Sequence, residues 1–304
     1  MKKTLSFLLT LCLIVAMISA CGGGGGGGGA GAASSTIVIS GKSFTEALLI
    51  SEIVAQLLEA KTDLKVERKY DMSASLCFQG LVTGDLDFSA EYTSSMLLVY
   101  LKEETQPGDT PAITLERVKK GMAEQFGITI LSSMGFNNTY GLMIMREFAE
   151  ANNIRTYSDL IPFTPQMRFG AEHSFYDRED GFEVMAETYG FQFAREVKMD
   201  VALKYVSMAQ GQIDASVVYT TDGQISEFDI VILEDDKFFF PDYYMTLAFR
   251  TEILERHPEI AEALAGMDGI ADEADIIRFN SMVDNGGMSI PQVAAEFIRE
   301  FGLN

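Results

Sequence analysis

The chain has 304 residues, 47% of them hydrophobic, with three cysteines, two histidines and no tryptophan. Forty-four acids against 23 bases leave a formal charge of −21, a field that makes nucleic acid and anionic membrane surfaces poor partners. His173 and His257 are far apart and sit in no His/Cys/Asp pattern of metal spacing, and no Gly-x-Ser-x-Gly or phosphate loop occurs. No metal and no cofactor is therefore expected, and the acids read as a solvated surface.

Lys2 and Lys3 precede an apolar run from Leu5 to Ile18, short of the about 20 residues that span a bilayer. It ends in Ile18-Ser19-Ala20-Cys21, which resembles a bacterial lipoprotein cleavage site, and eight glycines, Gly22 to Gly29, follow. The expectation is a signal peptide over 1–20, a lipid on Cys21 and a flexible tether over 21–35. The lipid would hold the chain to the membrane on its extracytoplasmic face, exterior or periplasmic. Cleavage leaves Cys21 and Cys77, so no disulfide framework forms within one chain. The fold must stand on its core, for which the remaining length is ample.

Thr36 to Ser40 reads as a buried strand. Ser43-Phe44-Thr45-Glu46 reads as a capping box, followed by Leu48, Leu49, Ile53, Val54, Leu57 and Leu58 at helical spacing. Leu64 to Tyr70 alternates as a strand. Ile128 to Leu131 is another, and the apolar Gly141 to Met145 leads into a helix through Ala151. Met167 to Gly170 is a short strand, and Gly181 to Tyr189 a helix closed by Gly190. Asp229 to Leu233 is a strand, Ile253 to Gly266 a helix, and Asp272 to Gly302 a helical region packing back on the first part of the chain. Strands alternating with helices predict parallel sheets.

Two segments read alike. Thr83-Gly84-Asp85-Leu86-Asp87-Phe88-Ser89-Ala90-Glu91-Tyr92-Thr93 and Gln210-Gly211-Gln212-Ile213-Asp214-Ala215-Ser216-Val217-Val218-Tyr219-Thr220 align without a gap. Each has a glycine where an apolar helix ends, then a strand that delivers a tyrosine at its carboxyl end. Asp87 and Asp214 are expected to hold turns. The repeat predicts two α/β lobes of similar build. Ligands of open α/β sheets bind beyond strand carboxyl ends, which sets Tyr92 and Tyr219 across one cleft. Without tryptophan, an aromatic box must be built of Tyr or Phe. Such a box suits a quaternary ammonium, which cannot donate a hydrogen bond but is attracted to ring faces.

Further motifs are Gly41-Lys42-Ser43-Phe44-Thr45-Glu46, Ala90-Glu91-Tyr92-Thr93, Gly135-Phe136-Asn137-Asn138-Thr139-Tyr140, Phe169-Gly170-Ala171-Glu172-His173, Tyr176-Asp177-Arg178-Glu179-Asp180-Gly181, Val218-Tyr219-Thr220-Thr221-Asp222-Gly223-Gln224 and Phe240-Pro241-Asp242-Tyr243-Tyr244. From about Thr36 to the C-terminus, these resemble the osmoprotectant-binding subunits of ABC importers, which handle glycine betaine, proline betaine, carnitine and choline. The resemblance implies an α/β, periplasmic-binding-protein-like (type II) fold of two lobes joined by a two-stranded hinge. Lobe 1 would be 36–136 plus 242–304, and lobe 2 137–241. It implies an ammonium cage of Tyr92, Tyr140, Tyr219 and Tyr243, with Tyr244 the rival of Tyr243. It implies Lys42, Ser95 and Arg178 at the ligand carboxylate, with serine where the family often has threonine, and Asn138 orienting the site.

The function so implied is a non-enzymatic, monomeric solute receptor for glycine betaine or related betaines, working with a membrane permease and an ATPase. Rival readings are a choline-preferring receptor of the same fold, a secreted hydrolase using two acids, and a structural lipoprotein without a pocket. Phe238 to Phe240 is assigned to hinge or core.

Overall fold

The computed structural model describes residues 36–106, 108–177 and 181–303. The signal peptide, Cys21, the glycine tether and Arg178 lie outside them. Ten strands form two five-stranded sheets. The first takes β1 (Thr36–Lys42), β2 (Lys65–Met72), β3 (Phe88–Tyr92), β4 (Ile128–Asn137) and β10 (Tyr244–Arg250) in the order β2-β1-β3-β10-β4. The second takes β5 (Tyr140–Met145), β6 (Arg168–Glu172), β7 (Arg195–Met199), β8 (Ala215–Tyr219) and β9 (Ile230–Ile232) in the order β7-β6-β8-β5-β9.

The sequence repeat is a topological repeat. β3 runs parallel beside β1, and β8 parallel beside β6. Before β3, Gly84 adopts φ 87° at the end of helix α2 (Ala74–Thr83), and before β8, Gly211 adopts φ 64°. Both values lie in the left-handed region that glycine enters without a Cβ penalty. Asp87 then accepts the Val38 amide on β1 at 2.9 Å, as Asp214 accepts the Arg168 amide on β6 at 2.7 Å. These turn-holding roles match the sequence expectation.

The sheets are mixed, not parallel. β10 is antiparallel to β3 and β4, and β5 is antiparallel to β8 and β9. β5 and β10 are the strands by which the chain arrives from the opposite sheet, and a strand entering from the far side runs against those already there. The two crossing segments lie side by side. The Asn138 amide donates to Tyr243 O at 3.0 Å, the Tyr243 amide to Asn137 Oδ1 at 2.7 Å, and Thr139 Oγ1 to Pro241 O at 2.9 Å. This is a two-stranded hinge between two α/β lobes.

Each sheet has apolar cover on both faces. On the first, α1 (Thr45–Lys61), α5 (Glu273–Asp284) and α6 (Ile290–Glu300) bury Ile53, Leu57, Phe279 and Phe297 on one side, and Leu81, Leu97 and Met122 cover the other. The helical C-terminal region thus packs back on lobe 1, interrupted between Asp284 and Ile290. In the second lobe α3 (Phe182–Tyr189) and α4 (Lys204–Ala209) take opposite faces. Val217 faces the cluster of Phe169 and Met185, while its neighbour Val218 faces that of Tyr205 and Met208, as strand alternation requires.

Three further expectations are corrected. The capping box of α1 does not form: the N-cap is Phe44, one residue beyond the serine the box needs, its ring offers no acceptor, and the Glu46 carboxylate is bonded to Tyr92, Asn138 and Thr221. The helix expected over Ile253 to Gly266 is broken into Thr251–Arg256 and Glu259–Ala263, since Pro258 lacks the amide a continuous helix would use. Phe238 is not core; it is 88% exposed at φ 53° in the segment between β9 and β10, whereas Phe240 packs against Tyr140 at 5.3 Å.

Candidate functional site

Strand ends put the aromatic residues together. Tyr92 ends β3 and Tyr219 ends β8; Tyr140 opens β5 directly opposite Tyr219 in the register, and Tyr243 immediately precedes β10. All four line one cavity of about 160 Å³, together with Lys42, Ser95, Asn138, Phe44 and Ala74. Tyr244 is not among the lining residues. The Tyr140 ring lies 5.1 Å from that of Tyr219 and stands at 87° to that of Tyr243 at 6.4 Å.

Phe44, which the sequence reading did not assign to the site, completes the wall. Its ring lies 6.4 Å from both Tyr92 and Tyr219, within 20° and 23° of parallel. It therefore joins the rings of the two lobes. An aromatic residue at the mouth of α1, inside the Gly41-Lys42-Ser43-Phe44 motif, was the available signal.

Lys42 ends β1 inside the wall, 5% exposed, and its Nζ donates to Glu91 Oε2 at 2.7 Å. The ammonium also lies 5.4 Å from the Tyr92 ring centroid. The second lobe repeats this arrangement: Lys204 Nζ donates to Glu172 Oε2 at 3.0 Å and lies 5.5 Å from the Tyr219 ring. Each repeat tyrosine thus has an internally neutralised ion pair beside it.

Glu46 differs. It is 2% exposed, and among the described residues it pairs with no cation. Its Oε1 accepts Tyr92 OH at 2.5 Å and Asn138 Nδ2 at 3.0 Å; its Oε2 accepts Thr221 Oγ1 at 2.5 Å and Asn280 Nδ2 at 3.4 Å. Thr221 belongs to the second lobe, so the carboxylate bridges the cleft. Burial pushes the Glu46 carboxyl above its usual range, against the lowering effect of these bonds. Burial first, and Glu46 second, drive the Tyr92 phenol well above its own. A carboxyl raised in the folded state binds its proton more tightly there than in the unfolded chain. Its charge therefore costs stability above the folded pKa, and that cost disappears as pH falls through it.

Glu46 touches the ring cavity only through Tyr92 and Asn138; it lines a second cavity of about 300 Å³, which shares Phe44, Asn138 and Tyr219 with the first and is walled further by Tyr205, Thr221, Asp222, Asn280 and Asp284. Because Glu46 accepts from both amide nitrogens, the carbonyl oxygens of Asn138 and Asn280 are turned away from it, and neither has a partner among the described residues. Burial raises the Asp284 carboxyl, the Thr45 hydroxyl opposes this, and Asp222 adds to it. Among the described residues no group of His, Cys, Asp and Glu is arranged to hold a metal ion.

Two hinged α/β lobes with a ring-lined cavity between them define a periplasmic binding protein of type II. The comparisons agree. The family of the substrate binding domain of ABC-type glycine betaine transport systems matches residues 35–300, and the chain belongs to it. It is 33% identical over 269 residues to an ergothioneine transport permease/ergothioneine binding protein of Helicobacter pylori, covering 88% of this chain and 48% of that relative. The chain thus spans about half of that longer protein. It is 34% identical over 278 residues to a glycine-betaine-binding protein of Pseudomonas aeruginosa, covering 87% and 88%. The crystal structure of a glycine betaine/carnitine/choline ABC transporter superposes with a TM-score of 0.78 at 29% identity, over 88% of this chain and 99% of that one. As a member of a solute-receptor family the chain is not an enzyme.

Proposed function

We propose that this chain captures a quaternary-ammonium solute, glycine betaine or a related betaine, outside the cytoplasm and delivers it to a membrane permease coupled to an ATPase. The observation that carries this reading is the cavity to which Tyr92, Tyr140, Tyr219, Tyr243 and Phe44 all contribute. A methylated ammonium is attracted to ring faces by roughly 0.5–2 kcal/mol each when desolvated, and rings from both lobes reach it together only when the lobes are shut. In this reading Ser95 and Lys42 meet the ligand carboxylate, with Arg178 the further cation. Asn138 orients the site, and a lipid on Cys21 keeps the monomeric receptor at the membrane. Among the described residues no helix is long and apolar enough to cross one.

Choline is the second reading, favoured by one observation: the Lys42 ammonium is already bonded to Glu91, which lessens its hold on a carboxylate. Calorimetric titration with glycine betaine, carnitine, choline and the neutral carbon isostere 3,3-dimethylbutanol tests the class. Binding of a quaternary amine but not of the isostere is expected; equal binding of the isostere, or none of the amines, would dismiss it.

Closure has its own test. The segment after β8 docks on α5: Asn280 Nδ2 donates to Thr221 O at 2.8 Å, and Asn285 Nδ2 to Gly223 O at 2.9 Å. A Cβ on Gly223 would lie 2.6 Å from the backbone of Asn280 and Ser281. Backbone cannot turn aside as a side chain does, so Gly223→Ala should hold the lobes apart. A ligand can shift the lobes only by its differential affinity for the shut state, so affinity should fall by at least about tenfold. Small-angle scattering with saturating ligand should show a larger radius of gyration than wild type. An unchanged radius and affinity would remove this contact from the closing motion.

A further inference from the structure

We propose that Glu46 is the specificity-determining residue for ligand charge: its buried carboxylate, bonded to the Tyr92 phenol at the back of the ring cavity, favours net cations over zwitterions. This deepens the reading that the cavity binds quaternary amines, and rests on it.

What sets Glu46 apart is uncompensated charge. Lys42 with Glu91, and Lys204 with Glu172, are buried pairs that cancel at short range. Glu46 has four hydrogen-bond donors and no counter-ion among the described residues. The second cavity, which it lines, has no lysine, arginine or histidine among its described lining residues, while Asp222 and Asp284 add acid. The Asn138 and Asn280 side chains turn their amide nitrogens to Glu46, which eases its burial without supplying a counter-ion. A cation entering the ring cavity meets one net negative charge through a medium of low dielectric. A zwitterion brings its own anion with it, so its two interactions with Glu46 oppose each other and the net pull falls off faster with distance.

Glu46 acts through Tyr92 as well as through space. A phenol that donates to a carboxylate carries more negative charge on its ring, which strengthens the attraction of the ring face for a cation. Thr221 adds a dependence on closure, because that donor reaches Glu46 from the other lobe.

Glu46→Gln removes the charge and keeps the shape. With the new NH₂ group at the Oε2 position the Thr221 hydroxyl can turn to accept, the remaining oxygen still accepts from Tyr92 and Asn138, and Asn280 keeps its bond to Thr221 O and gives up only its 3.4 Å contact. The experiment is calorimetric titration of wild type and E46Q with choline and with glycine betaine. The ratio of the choline to the glycine betaine dissociation constant should rise by about tenfold in the variant. A purely structural Glu46 would weaken both ligands by one factor, and that equal loss would overturn the proposal. A wild-type protein that binds neither ligand would overturn the ring-cavity reading and this inference together.

Should E46Q fail to fold, the same ratio is read on wild type as pH falls. It should rise towards acid, and a flat ratio down to the acid limit of folding would overturn the proposal. Among the described residues the other charged groups facing this region are Asp222 and Asp284 on the wall of the second cavity, the Lys42–Glu91 pair beside Tyr92 and the Lys204–Glu172 pair beside Tyr219. D284N, titrated in parallel, should show the same rise.

Discussion

Tyr219→Ala and Tyr92→Ala are each expected to raise the dissociation constant for the quaternary-ammonium ligand by at least about tenfold, which is 1.4 kcal/mol. One ring face contributes roughly 0.5–2 kcal/mol to a desolvated cation, and each removal also takes away part of the reason to close. Tyr219 sits on the second lobe and Tyr92 on the first, joined through Phe44. A ligand that no longer touches one lobe well has less differential affinity for the shut form. The two losses should therefore be less than additive in the double variant. Tyr219→Phe retains the ring and should change affinity by less than about threefold. Titration calorimetry on wild type and the four variants reads all of this. Unchanged affinity in both alanine variants would show that the rings pack the hinge and hold nothing.

Much of this cleft was legible because the repeat carries it. A glycine, an aspartate and a tyrosine at fixed spacing occur twice, and each has a local cause: left-handed φ at Gly84 and Gly211, an amide to accept for Asp87 and Asp214, a strand end for Tyr92 and Tyr219. Strand direction was not legible in the same way. Periodicity marks β5 and β10 as strands but does not record that each enters its sheet from the other lobe. Glu46 shows a different kind of failure. A glutamate three residues after a serine at a helix start satisfies the capping pattern, and equally well a buried acid whose donors come from positions 92, 138, 221 and 280. Local spacing favours the first; only the assembled lobes reveal the second. Lys42 was read as a cation for the ligand, and the partner that occupies it, Glu91, lies 49 residues along the chain.

The Lys204–Glu172 pair, silent in the sequence for the same reason, carries the largest expected effect on stability. Lys204 is fully buried and Glu172 is 4% exposed; one carboxylate oxygen takes the ammonium, and the other has no partner among the described residues. Two charges so placed have each given up hydration, and their mutual attraction offsets that cost only while both are present. Lys204→Met fills much of the same volume and strands the carboxylate. It should destabilise the fold by about 3–5 kcal/mol, a fall in Tm of roughly 6–20 °C for a protein of this size. Adding Glu172→Leu removes the orphaned charge. The double variant should recover most of the loss, because an apolar pair of similar volume is often as stable as a buried ion pair. Tyr219 lies beside this ammonium, so the double variant also asks whether the pair shapes the cleft. Calorimetric unfolding of ligand-free protein measures the stability, and titration of the double variant measures the site. A Lys204→Met variant within about 1 kcal/mol of wild type would mean that the pair contributes little beyond its packing.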